Sequence, residues 1–182
     1  KNGVYSHLVS DHYHYWEEGG ANYHTKYRSW EIVRGQEGDP WKGDLRLKEL
    51  PPSKNNERGG GAWLRQDWVN RTYMRDEADM TQPRTFRLGE EFLRANATED
   101  NWFLHLETFD PHEPYFSPQR FKDLYPHDYK GPHWDWPPYQ RVNQSPEAVQ
   151  HMRYQSAALH SMCDFYLGRV LDMMDEMNLW ED

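Results

Sequence analysis

The chain has 182 residues, a formal net charge of −9 and a pI near 5.5. A surface of that sign repels phosphate backbones and argues against a nucleic-acid partner, and no run approaches the roughly 20 apolar residues that span a bilayer, which argues against a membrane one. Only 36% of residues are hydrophobic, yet nine Trp, twelve Tyr and seven Phe are present; disordered chains are poor in aromatics, so a folded, polar, aromatic-rich body is expected.

In chain order, Val4 to Val9 reads as a short strand, β-branched and aromatic. The polar stretch Ser10-Asp11-His12-Tyr13-His14-Tyr15-Trp16 ends it, and Gly19-Gly20 breaks the chain. A second strand is expected over Ser29 to Val33, a turn at Asp39-Pro40, and a loop from Pro51 to Gly61. Residues 34–87 as a whole read as an excursion over the surface. Short helices are expected over Ala62 to Met74 and Leu88 to Ala95. Asn101 to Phe109 is the clearest strand, nearly continuous in apolar residues, as expected when both sheet faces are covered.

Residues 110–144 carry seven prolines, and aromatics that include Tyr115, Phe116, Tyr129, Trp134, Trp136 and Tyr139, which favours a long, ordered, functional loop. Ser145 is a good N-cap, with Pro146 at the first helical position. The helix that follows repeats Val149, Met152, Leu159, Met162, Tyr166, Val170, Met173 and Met177 at helical spacing and runs to about Asn178. The single cysteine, Cys163, sits in that helix and suits a buried thiol. Sequons occur at Asn70, Asn96 and Asn143. The order of elements points to an α/β sheet, and the pieces are too few to close one, as in a portion of a larger body.

Two loops carry the chemistry. Asp11-His12-Tyr13-His14 follows the first strand, and Asp110-Pro111-His112-Glu113-Pro114-Tyr115 follows the best one. In open α/β sheets ligands bind beyond the carboxyl ends of the strands, so parallel strands would bring both loops to one edge. Imidazoles there would donate to an oxyanion, carry positive charge and protonate a leaving oxygen. Spacing alone leaves three readings open. One is an anion or catalytic site. Another is a metal site formed by His-x-His with His24 or Asp11. In the third, the histidines are structural, as His7, His105, His127, His133, His151 and His160 are by default. Glu17, Glu18, Glu31 and Glu37 read as a solvated face, and Trp134 and Trp136 either stack on a sugar ring or cap the core.

Three elements, in order, resemble the sulfatases of the alkaline phosphatase superfamily. Val4 to Trp16 is similar to their strand followed by Gly-Lys-Trp-His, with Asp11-His12-Tyr13-His14 in its place. Asn101 to Tyr115 is similar to their strand ending in Pro-His-x-Pro-[Phe/Tyr]. Tyr154, Ala157, Asp164, Leu167, Gly168, Arg169, Val170 and Leu171 resemble their helix of the form Tyr-x-Ala…Asp-x-x-Leu-Gly-x-x-Leu. Asp11 to Trp16 and Arg34 to Gly43 look specific to a bacterial subgroup.

The resemblance implies that residues 1–182 are the central portion of one sulfatase catalytic domain, a partial three-layer α/β/α sandwich, incomplete in this chain. It implies that His14 contacts the nucleophile and helps release sulfate from it, that His112 binds substrate near the scissile oxygen and protonates the leaving group, and that His12 binds substrate where most sulfatases have a lysine. Histidine is shorter than lysine and not always charged, which weakens that contact. The Cys/Ser-x-Pro/Ala-x-Arg motif that yields the formylglycine nucleophile does not occur here, nor do the paired aspartates or the Asp-His-Gly element of the family. The divalent cation, usually calcium, would therefore have most of its ligands outside this chain, and the segment alone would not turn over. The expected reaction of the complete protein is hydrolysis of a sulfate ester. The expected partners are a sulfated small molecule or saccharide and the rest of the polypeptide. The alternatives are a phosphonate or phosphate monoester hydrolase on the same scaffold and a truncated, non-catalytic binding protein. No compartment is assigned.

Overall fold

The computed structural model describes residues 3–59 and 61–180. It is a mixed α/β body around a small parallel sheet of three strands, β1 (Tyr5–Ser10), β2 (Ser29–Ile32) and β3 (Trp102–Glu107), in the order β2-β1-β3. Both pairings are parallel, with Leu8 opposite Trp30 and His105. The carboxyl ends of all three strands thus lie at one edge. Among the described residues no helix is long and apolar enough to cross a membrane.

Among the described residues four α-helices accompany the sheet: α1 (Ala62–Arg71), α2 (Thr81–Asn96), α3 (Gln119–Lys122) and α4 (Pro146–Met177). Helix α2 packs directly on the sheet. A Cβ at Gly89 would lie 2.6 Å from the Leu106 side chain, so glycine is what lets the two backbones approach. Beside it the His7 ring stacks on Phe92 with centroids 4.9 Å apart. The apolar core then runs outward through Phe86, Ala158, Leu159, Met162, Tyr166 and Phe121, joining α2, α4 and α3. On the opposite face, Tyr15, Tyr23 and Tyr27 stand over Ser6, Leu8 and Phe103 around a cleft of about 420 Å³.

Helix α4 begins as its sequence dictates, with Ser145 Oγ accepting the Ala148 N–H at 3.3 Å, and ends at Asn178 in the left-handed region. Helix α2 is twice as long as expected, starting at Thr81 rather than Leu88. Its N-cap, Met80, provides no capping side chain, and Pro83 reads as a breaker. In the first turn, however, backbone N–H groups have no intrahelical partner, so proline costs little there.

The segment 34–87 is not a surface excursion. Gln36, Glu37, Asp39, Asn55, Asp67 and Asn70 are all buried. The sequon at Asn70 is closed to modification in this fold, because its Nδ2 donates to the Glu37 and Asp39 carbonyls at 3.2 and 2.8 Å. Trp134 and Trp136 are 3% and 0% exposed, so they cap the core and offer no stacking face to a sugar. Between them Asp135 pairs with Arg71 of α1 at 2.6 Å and accepts from Asn55 at 2.7 Å, which orders the proline-rich loop.

Candidate functional site

Each parallel strand delivers a loop to the same edge. From β1 comes Asp11, fully buried, whose Oδ1 accepts the Phe109 N–H of the β3 loop at 2.6 Å. From β2 comes Gln36, and from β3 comes Asp110. These contacts lock the loops together before any ligand is considered.

Phe109 is the hub on which the predicted histidines gather. Its ring centroid lies 4.9 Å from His12, 5.7 Å from His14 and 4.4 Å from His112. His12 and His14 meet edge to face at 5.6 Å. All three candidate residues therefore share one patch at the rim of the sheet, and each is partly open to solvent.

Their second nitrogens are tied down. His112 Nδ1 lies 2.6 Å from the Glu113 carbonyl oxygen. A carbonyl only accepts, so Nδ1 carries the hydrogen and Nε2 is left for a ligand. The peptide bonds before Pro111 and Pro114 are cis. His12 Nδ1 lies 3.5 Å from Glu107 Oε1, and Glu107 also accepts from Ser10 Oγ at 2.9 Å and Tyr15 Oη at 2.8 Å. His14 Nδ1 pairs with Glu17 Oε2 at 2.8 Å.

Glu37 does not belong to the solvated acidic face expected of it. It is only 4% exposed, and its two oxygens face two of the histidines: Oε2 is 3.5 Å from His14 Nε2 and Oε1 is 3.5 Å from His112 Nδ1. Tyr13 Oη lies 3.5 Å from the same Oε2 and in turn accepts from Trp63 Nε1 at 3.2 Å. Burial pushes the Glu37 carboxyl up to about 7, against the opposing pull of His112 and His14. Burial likewise raises Asp11 to about 6, and burial together with the neighbouring Asp11 charge holds Asp110 well above the usual carboxylate range. Glu17, Glu18 and Glu31 are exposed as expected.

Glu37 reaches the site through a tight turn. Asp39 N–H bonds back to the Gln36 carbonyl at 2.9 Å, and Glu37 itself adopts a left-handed φ of 47°. A Cβ at Gly38 would overlap the Trp63 indole. The signal that marks this turn in the sequence is Gly35-Gln-Glu-Gly-Asp39, a turn-rich stretch directly after a strand, like the two histidine loops.

The remaining candidates lie elsewhere or do other work. His24 is buried against Trp16 at 4.6 Å and Trp30 at 5.2 Å, away from the three rings. Among the described residues no group of three His, Cys, Asp or Glu side chains is arranged to hold a metal ion. Burial pushes the Cys163 thiol up to about 12, so it stays protonated and is no nucleophile.

No protein-family model, curated protein or solved structure matches the chain.

The arrangement has parts of an oxyanion site: three imidazoles gathered around one phenyl ring, with carboxyls beside them. Such groups bind a tetrahedral anion, neutralise charge on its oxygens and supply a proton.

Proposed function

We propose that this chain forms the histidine-bearing part of a sulfatase-like hydrolase, and that the complete polypeptide hydrolyses a sulfate ester. The observation that carries the reading is the gathering of His12, His14 and His112 around Phe109 at the carboxyl edge of parallel strands. The same reading places the three-stranded sheet inside a larger alkaline-phosphatase-like α/β/α sandwich, with the nucleophile and the cation contributed from outside residues 1–182.

The steps assigned to this chain are proton and charge steps. His112 in its imidazolium form holds Nδ1–H on the Glu113 carbonyl and directs Nε2–H at the bridging ester oxygen. As the sulfur–oxygen bond breaks, that proton passes to the departing oxygen, which leaves as a neutral alcohol, and His112 becomes neutral. His12, braced by Glu107, faces the sulfuryl oxygens and takes up part of their charge. His14 stands beside it and, with its two ring nitrogens facing Glu17 and Glu37, assists release of sulfate from the nucleophile through its positive charge. Its Nδ1 on Glu17 fixes the ring orientation.

The test is His112→Ala in the full-length protein, assayed on an aryl sulfate and on an aryl phosphonate. Loss of a protonating group costs about 10²–10⁴ in rate, so sulfate turnover is expected to fall into that range. Unchanged hydrolysis would remove the catalytic reading. A strong preference of the parent protein for the phosphonate would transfer the site to phosphoryl chemistry.

A further inference from the structure

We propose that Glu37 is the positioning residue of this site, one buried carboxylate that braces His14 and His112 at once and balances the charge of whichever ring is protonated. The inference rests on the hydrolytic reading above and adds to it a residue outside the histidine loops.

Four observations support it. Each carboxylate oxygen lies 3.5 Å from one ring nitrogen, His14 Nε2 and His112 Nδ1, a charge-pairing distance, since the Nδ1 hydrogen of His112 already goes to the Glu113 carbonyl. It is 4% exposed, while the side chains of His14 and His112 are 39% and 41% exposed, so it lies behind them, where substrate does not reach. Its φ of 47° is unusual for a glutamate, and glycine would occupy that position at less cost. The turn is held there from outside by Asn70 and by the close fit of Gly38 against Trp63. A surface carboxylate needs none of this support.

The groups around Glu37 come from three elements. The β1 loop presents Tyr13 and His14, α1 presents Asp67, and the β3 loop presents Asp110, His112 and Glu113. The two imidazoles favour its charged form. Burial, Glu113 and Asp67 oppose it, and together they leave the carboxyl near half-ionised around neutral pH. No bond is made or broken at Glu37. The proton given to the leaving oxygen comes from His112, and Glu37 supplies the counter-charge that keeps that proton in place until it is needed.

The experiment follows the Glu37 carboxyl carbon by NMR against pH in the full-length protein, together with the pH profile of aryl sulfate turnover. The expected midpoint is about 7 in the parent, and it should rise in both His14→Ala and His112→Ala, because each removes a favourable positive charge. Glu37→Gln should lower kcat by about 10- to 100-fold with KM little changed and erase the ionisation near neutrality, while Glu37→Asp retains part of it. A midpoint indifferent to both histidine variants, or a Glu37→Gln profile that superimposes on the parent, overturns the proposal. If Glu37→Gln fails to fold, the histidine-variant titration still decides it. If His112→Ala turns over normally, the hydrolytic reading fails, and the carboxyl titration then judges the bracing by itself.

Discussion

Asp11 and Asp110 are joined through a single amide: Gln36 Nε2 donates to Asp11 Oδ2 at 3.2 Å and to Asp110 Oδ1 at 3.0 Å. The three residues come from the loops after three neighbouring strands, so this amide fastens the floor of the site. Replacing it leaves two buried acceptors without their donor. Gln36→Ala is expected to lower unfolding stability by about 2–3 kcal/mol at neutral pH, read from denaturant melts. A loss under about 0.5 kcal/mol would mean that the amide is not what holds the loops.

The buried acids also set a pH dependence. Asp11 and Glu37 have folded values of about 6 and about 7, above their ordinary 3.8 and 4.5, and Asp110 is also raised well above its ordinary value by burial and by Asp11. Between the unfolded and folded values the folded protein binds more protons than the unfolded chain, so stability falls as pH rises across about 4 to 7. Asp110→Asn removes one of these charges and keeps an acceptor for Gln36. The melting temperature at pH 7.5 should therefore rise above that of the parent, with little change at pH 4.5. A parent protein that gains stability steadily from pH 4.5 to 7.5 would contradict the assignment.

Asp135 works in the opposite sense. Burial disfavours its charge, but Arg71 and His133 more than compensate and hold its carboxyl far below the usual range. Its contribution is present above its ordinary pKa and is lost only in strong acid. Asp135→Ala would strand the Arg71 guanidinium, itself 7% exposed, beside Asp67 alone. Breaking such a buried pair costs about 3–5 kcal/mol, and the proline-rich loop, tied through Asn55 and Asp135, should become accessible to proteolysis first. Resistance of that loop in the variant would show that the aromatic contacts alone order it.

Gly38→Ala tests the turn that carries Glu37. The added methyl meets the Trp63 ring, so either the indole or the turn must move. Overpacking of this kind costs about 1–3 kcal/mol. Activity of the full protein should fall further than stability alone explains, because Glu37 is displaced from both rings. Normal turnover with a shifted Trp63 fluorescence would place the strain in the indole instead.

Much of this architecture is legible before folding. The strand at Val4 to Val9, the strand at Asn101 to Phe109 and the capped helix from Ser145 announce themselves by composition, periodicity and caps, and the structure places them within a few residues. The histidine loops are legible because parallel strands send successive loops to one edge. Glu37 was not, because a glutamate in a polar turn looks solvated until α1 and the β3 loop close over it. Its burial is a property of the tertiary fold, contributed by Asn70, Trp63 and Tyr13, all distant or out of register in the sequence. The start of α2 was hidden for a local reason, since neither Met80 nor Pro83 carries a start signal. The fate of Trp134 and Trp136 depended on Asp135 between them turning inward to Arg71.

The claim that three imidazoles serve one ligand is tested most directly by titrating the full-length protein with inorganic sulfate while following the histidine ring resonances. His12, His14 and His112 should shift together along one binding curve, with His105 and His160 unmoved. Three rings that respond with different affinities, or that ignore sulfate while other histidines respond, would contradict a common anion site.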